Sequence, residues 1–201
     1  YQVSVLLLKG TTSKTLDGLE INKFYGNILD KDSLNAAFSG HDIVIHCAAS
    51  TSMYPARDPF INKVNIEGTE NVIQAIKDNK IKRLVYVGTA NSFGNGSSLE
   101  ELGDETNEYT AHKYGLDYMD SKKKAQDLLL DAVKNDGLPA LIVNPTFMIG
   151  PYDSKPSSGT MVLAIYNGKV PGYTRGGKNY IAVKDAAVAI ANAITMGRTG
   201  E

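Results

Sequence analysis

With 201 residues, 42% of them hydrophobic and 21% charged, the chain has the make-up of a water-soluble globular domain, or of one domain plus part of a second. The 21 basic and 22 acidic residues leave a net charge of −1, so no basic field draws nucleic acid or an anionic membrane surface, and neither is expected as a partner. Cys47 is the single cysteine, and His41, His46 and His112 lack ligand spacing; this excludes an intrachain disulfide and a cysteine metal site, and no metal is expected.

The stretch 1–8, with Val3-Ser4-Val5-Leu6-Leu7-Leu8, reads as a buried strand of the kind found in parallel sheets covered on both faces. A polar loop over 9–18 leads to a short strand over about 21–25. Asp30, Asp32 and Ser33 offer caps for a short helix through Phe38 that ends near Gly40. Residues 42–47 form the next strand, which runs into the small-residue turn Ala48-Ala49-Ser50. A helix over about 59–78 carries Val64, Val72, Ile73 and Ile76 at roughly helical spacing. A strand over 83–87 stops at Gly88, and a polar, Gly-rich loop covers about 91–108. A long helix over about 114–135 and a strand over 138–143, broken by Pro145, follow. A Gly/Pro/Ser-rich loop over 150–159 then leads to a helix near 161–167, a short strand near 180–183 and a helix over about 184–196.

Strand and helix alternate without an internal repeat, which points to an α/β fold with a parallel sheet wrapped by helices. Ligands of such sheets bind beyond the carboxyl ends of the strands, so reactive side chains are expected just after each strand. With no apolar run of about 18 residues and no leader-like segment, a cytoplasmic setting is the default expectation.

Thr89 follows the strand over 83–87, and Tyr118 and Lys122 stand four apart in the next long helix, on one face of it. A phenol held beside an ammonium is expected to have a lowered pKa, which suits a general acid/base near neutral pH. Thr89 adds a hydroxyl able to bond a substrate carbonyl or alcohol oxygen. Tyr-x-x-x-Lys is by itself a weak signal: with 11 tyrosines a chance match is expected, and Tyr109–Lys113 is a second copy. Context separates the two, because Tyr109 lies in the loop before the helix whereas Tyr118 lies inside it.

Six segments stand in register along the chain: Gly26-Asn27-Ile28-Leu29-Asp30, His46-Cys47-Ala48-Ala49, Val64-Asn65-Ile66-Glu67-Gly68-Thr69-Glu70-Asn71-Val72, Val87-Gly88-Thr89-Ala90-Asn91-Ser92-Phe93-Gly94, Tyr118-Met119-Asp120-Ser121-Lys122, and Asn144-Pro145-Thr146-Phe147-Met148-Ile149-Gly150-Pro151. Together they resemble the extended short-chain dehydrogenase/reductase family, within the NAD-dependent epimerase/dehydratase superfamily, and most of all its dihydroflavonol reductase and 3β-hydroxysteroid dehydrogenase branch. The resemblance implies a Rossmann-type, doubly wound parallel sheet, with 1–150 as the nucleotide-binding core and 151–201 as the start of a substrate-binding region. It implies Thr89, Tyr118 and Lys122 as catalytic residues, with Lys122 also holding the nicotinamide ribose. Cys47, Ala48 and Ala49 match the small segment under the cofactor, and Asn27 and Ile28 the adenine contacts. Asn65 matches an asparagine of the helix behind the site; it reads equally as a polar residue satisfying backbone groups. Pro145, Phe147 and Met148 match the stretch lining the nicotinamide, and Ser157 lies near the cofactor phosphates. Gly68, costly inside a helix by about 1 kcal/mol, reads as a point of close approach.

Two departures from the family pattern stand out. The first strand and the Gly-rich turn that receives the pyrophosphate at a helix N-terminus have no counterpart here, and most of the C-terminal substrate domain is lacking, so the chain reads as a fragment of a longer protein. Asn27 stands where the family often has Asp. The end of the first strand, Leu8-Lys9-Gly10, carries no acid for a ribose 2′-OH, and Lys9, with Lys14 nearby, suits a 2′-phosphate; NADP is therefore expected ahead of NAD. The expected function is NAD(P)-dependent reduction of a ketone or oxidation of a secondary alcohol, on a small-molecule substrate, with a homodimer through the long helices as an expected assembly. A nucleotide-sugar epimerase or dehydratase with tightly bound NAD is the alternative enzyme. A non-catalytic dinucleotide-binding sensor is the alternative from another class, against which the presence of both Tyr118 and Lys122 speaks.

Overall fold

β-Branched and leucine-rich runs make the strands here, and short polar caps set where the helices begin. The computed structural model describes residues 1–201 except 12, 99, 154–157 and 173–175, together with the side chain of Ser158. In chain order the elements are β1 (Ser4–Leu7), β2 (Asn22–Tyr25), α1 (Lys31–Phe38), β3 (Ile43–His46), α2 (Pro59–Asn62), a π-helical turn (Lys63–Glu67), α3 (Gly68–Asp78), β4 (Arg83–Val87), α4 (Asp117–Asp136), β5 (Ala140–Val143), β6 (Phe147–Ile149), α5 (Ser158–Tyr166), β7 (Tyr180–Ala182) and α6 (Val183–Met196). Asp30 caps α1 by accepting from the backbone N–H groups of Asp32 and Ser33. Asp58 caps α2 the same way, with Pro59 in the first turn, where its missing N–H costs nothing.

All strand pairs are parallel, in three sets: β1–β2, β3–β4–β5 and β6–β7. Among the described residues β1 forms no ladder with β3, yet one core runs across both sets: Leu6 and Phe24 pack with Leu34, Val44, Leu84 and Ile76. Leu84 and Tyr86 belong to this core, with Ala125 and Leu129 of α4. Strand alternation turns Val85 to the opposite face of the sheet, where α6 packs on β4 and β5. α6 also packs on β6 and β7, so it joins the two parts of the chain. Beyond it the backbone returns along the outer edge of β5, where Gly200 N–H donates to Ala140 O (2.9 Å) and Ile142 N–H to Glu201 O (2.7 Å).

Three local expectations change. The helix over 59–78 is interrupted by the π-helical turn, which sets the buried Asn65 toward Ser50 and α4. The long helix begins at Asp117 rather than near residue 114, because Gly115 takes a left-handed conformation (φ 62) and ends the short 3₁₀ turn before it. β6 begins two residues after Pro145, where no strand was expected, since its pairing partner β7 lies far along the chain. At the start of α3, a Cβ on Gly68 would stand 2.5 Å from Ile28 Cδ1, so close approach explains this glycine, as expected.

Candidate active site

Because β3, β4 and β5 run parallel, His46-Cys47-Ala48, Val87-Gly88-Thr89 and Val143-Asn144-Pro145 leave the sheet at the same edge. Thr89 is buried there and its backbone is pinned: its N–H donates to Asn144 Oδ1 (2.9 Å), and Ala90 N–H donates to Pro145 O (3.1 Å). Thr89 Oγ1 accepts from Asn91 N–H (3.3 Å) and so caps the short 3₁₀ turn. The glycine before it is required, since a Cβ on Gly88 would overlap Asn144 Oδ1. Gly88→Ala is expected to evict the Asn144 amide, to cost about 1–3 kcal/mol in urea unfolding, and to lower kcat of the full-length protein by about 10–100-fold as Thr89 loses its anchor. Adding Asn144→Ala relieves the clash but leaves Thr89 N–H without its acceptor, so it should recover only part of the lost stability and none of the kcat; no recovery of stability would show that the clash lies elsewhere.

Lys122 is 4% exposed, and no carboxylate partners it among the described residues. Its Nζ donates to Tyr86 OH (2.7 Å) and Val87 O (3.0 Å) and lies 4.2 Å from the centroid of the Tyr86 ring. Burial brings its pKa down to about 8, an effect opposed by the nearby Cys47 thiol. The ammonium is therefore committed to β4. Tyr118 differs accordingly from the expectation: burial raises its pKa, and interaction with the Thr89 side chain only partly offsets this. The phenol is neutral at neutral pH, because desolvation outweighs any help from an ammonium anchored on Tyr86 and Val87.

Behind Lys122 lies His46, 4% exposed, with Nε2 3.3 Å from Thr69 Oγ1; that hydroxyl donates to Asn65 O (2.7 Å). Burial, reinforced by the Lys122 ammonium, holds the imidazole pKa down to about 3. Below its unfolded pKa of 6.5 the unfolded chain takes a proton here that the native chain refuses, so stability is full above that pH and is lost as pH falls toward 3. His46→Gln, which keeps a polar partner for Thr69, should flatten the loss of unfolding free energy measured between about pH 7 and pH 5. An unchanged slope would remove His46 as its cause.

Asn65 is 2% exposed and fully engaged: Oδ1 accepts from Ser50 N–H (2.7 Å), and Nδ2 donates to Ser50 O (3.0 Å) and Ser121 Oγ (2.9 Å). It ties the turn after β3 to the stretch of α4 between Tyr118 and Lys122. With its amide so used, Asn65 satisfies backbone groups of the turn after β3, one of the two roles expected of it. A second clamp holds the start of α4. Buried Asp117 accepts from Arg57 Nη1 (2.7 Å) and from Asp58 N–H (2.7 Å), and Arg57 also reaches Asp120 (3.3 Å). Tyr109 donates its hydroxyl to Asp120 (2.7 Å), while Lys113 lies over Tyr114, so the second Tyr-x-x-x-Lys copy forms no pair.

The remaining expected residues fall as follows. Cys47 and Ala48 are exposed and Ala49 half-buried at the end of β3, and Pro145 is buried after β5. Lys9 is exposed beyond β1. Asn27 is exposed beyond β2, where its Oδ1 accepts from Leu29 N–H (3.0 Å); the Ile28 side chain is spent against Gly68. Phe147 and Met148 form β6, with Lys178 Nζ 3.6 Å over the Phe147 ring and Tyr180 at its edge. Ser157 lies outside the described residues. Sequence reasoning missed Tyr86, Asn144, Ser121 and Asp117, which look like ordinary strand, turn and helix residues until the chain is folded. No group of His, Cys, Asp and Glu able to hold a metal occurs among the described residues, and no described helix is long and apolar enough to cross a membrane.

A fold of parallel strands and covering helices with this edge site is of the Rossmann type, and the chain belongs to the NAD-dependent epimerase/dehydratase family, whose family model matches residues 1–201. It is 26% identical over 204 residues to sterol demethylase protein B of Methylococcus capsulatus, covering 100% of this chain and 60% of that protein. It is 29% identical over 200 residues to a putative dihydroflavonol 4-reductase of Synechocystis sp., covering 99% of this chain and 57% of that protein. The crystal structure of gox2253 superposes with a TM-score of 0.92 at 29% identity, covering 100% of this chain and 61% of that one. The chain therefore spans less than two thirds of the length of each of these relatives.

Proposed function

We propose that the full-length protein is an NAD(P)-dependent oxidoreductase that reduces a ketone, or oxidises a secondary alcohol, with Tyr118 as acid/base. The observation that carries this reading is the meeting of Thr89, neutral Tyr118 and the buried ammonium of Lys122 at the carboxyl edge of the sheet. A neutral phenol is a proton donor, which suits the reductive direction. Tyr118 gives its proton to the substrate oxygen, Thr89 Oγ1 hydrogen-bonds that same oxygen, and the Lys122 ammonium favours the tyrosinate that forms.

The residues present fit a nicotinamide dinucleotide. The turn after β3 is built of small side chains, with Cys47 and Ala48 exposed, so the backbone is open to a flat ligand. Asn27 and Lys9 extend the row beyond β2 and β1, and Pro145 closes it beyond β5. Lys122 would hold the ribose, and Lys9, with no acid beside it at the end of β1, favours a 2′-phosphate and hence NADP. When bound, the nicotinamide supplies or accepts the hydride. The test is to assay the full-length protein with NADPH and NADH against a panel of ketones. Net oxidation of NADPH supports the reading; copurified NAD with no net consumption would replace it with an epimerase or dehydratase.

A further inference from the structure

Tyr86 has no part in the reaction above, yet it touches the most deeply buried charge of the site. The phenol is 1% exposed, in mid-sheet, and its oxygen accepts from Lys122 Nζ at 2.7 Å. Burying an ammonium without a carboxylate is costly unless neutral oxygens satisfy it, and here two do: Tyr86 OH and Val87 O, two residues before Thr89. Lys122 has three N–H donors, so two fixed bonds orient the third. The Thr69 side chain interacts with the phenol from behind. Thr69 in turn donates to the carbonyl of Asn65 within the π-helical turn. The other titratable groups around Lys122 are His46 and Cys47 from the β3 side and Tyr118 on its own helix.

We propose that Tyr86 is a positioning residue: its hydroxyl fixes where the Lys122 ammonium sits beside Thr89. This rests on the reading of Lys122 as part of the active site. Tyr86→Phe keeps the ring face under the ammonium and removes only the oxygen, so it isolates the hydrogen bond.

The experiment is an NMR titration of Lys122, through the ¹³Cε resonance of labelled lysine assigned by its loss in Lys122→Arg, in parallel with the pH profile of kcat/KM of the full-length protein. Tyr86→Phe should lower the proton affinity of Lys122 by about tenfold, moving its titration midpoint to lower pH, and the kcat/KM limb should move with it. A midpoint in Tyr86→Phe unchanged from the parent overturns the inference even if Tyr118→Phe abolishes turnover. A shifted midpoint in a protein with no oxidoreductase activity supports it and overturns the proposed function instead.

Discussion

Tyr118→Phe is expected to lower kcat of the full-length protein by about 10³-fold while changing cofactor affinity by less than about threefold. The substitution removes one oxygen from a half-buried ring and leaves the helix intact. It should not disturb Thr89, whose backbone is pinned by Asn144, nor Lys122, which is anchored on Tyr86 and Val87. The loss should therefore fall on the chemical step and not on binding. Single-turnover measurements beside cofactor titration separate the two. Retention of more than about a tenth of the parent kcat would remove Tyr118 as the proton donor, because a positioned acid contributes about 10²–10⁴-fold.

The second large effect is on stability. Asn65→Ala orphans the N–H and carbonyl of Ser50 and removes the donor to Ser121 Oγ, all at a nearly inaccessible position. Leaving such groups unpaired should cost about 2–4 kcal/mol in unfolding free energy. For a chain of this size that lowers the melting temperature by about 4–16 °C at roughly 2–4 °C per kcal/mol. Asn65→Asp should be no milder, since it keeps an acceptor for Ser50 N–H but loses both donated bonds and buries a charge. A melting temperature unchanged in both variants would mean that the turn after β3 does not depend on this amide. Lowered activity at temperatures where the variant is still folded would show that the same tie also sets the spacing between that turn and α4.

Much of the fold was legible locally. Arg83–Val87 forms a strand with the bounds that its apolar run implies, and α1 starts at the aspartate that offers the cap. Thr89, Tyr118 and Lys122 could be placed because each sits a fixed number of residues from an element whose type is written in its own composition. What stayed hidden depends on contacts distant in sequence. β6 is three residues long and exists through pairing with Tyr180–Ala182. The π-helical turn holds an asparagine whose partners lie 15 and 56 positions away.

The chain by itself determined the alternation of strand and helix and the places of Thr89 after β4 and of Tyr118 and Lys122 in the helix that follows, because hydrophobic period and cap chemistry act over a few residues. Only the tertiary structure decided their electrostatics. Spacing alone pairs Tyr118 with Lys122 and implies a lowered phenol pKa. In the folded chain Lys122 turns to Tyr86 on a strand 36 positions earlier, and burial makes Tyr118 a harder acid to ionise. The sign of that shift follows from which groups lose water and where the buried ammonium finds its acceptors, and both exist only once the helix has packed on the sheet.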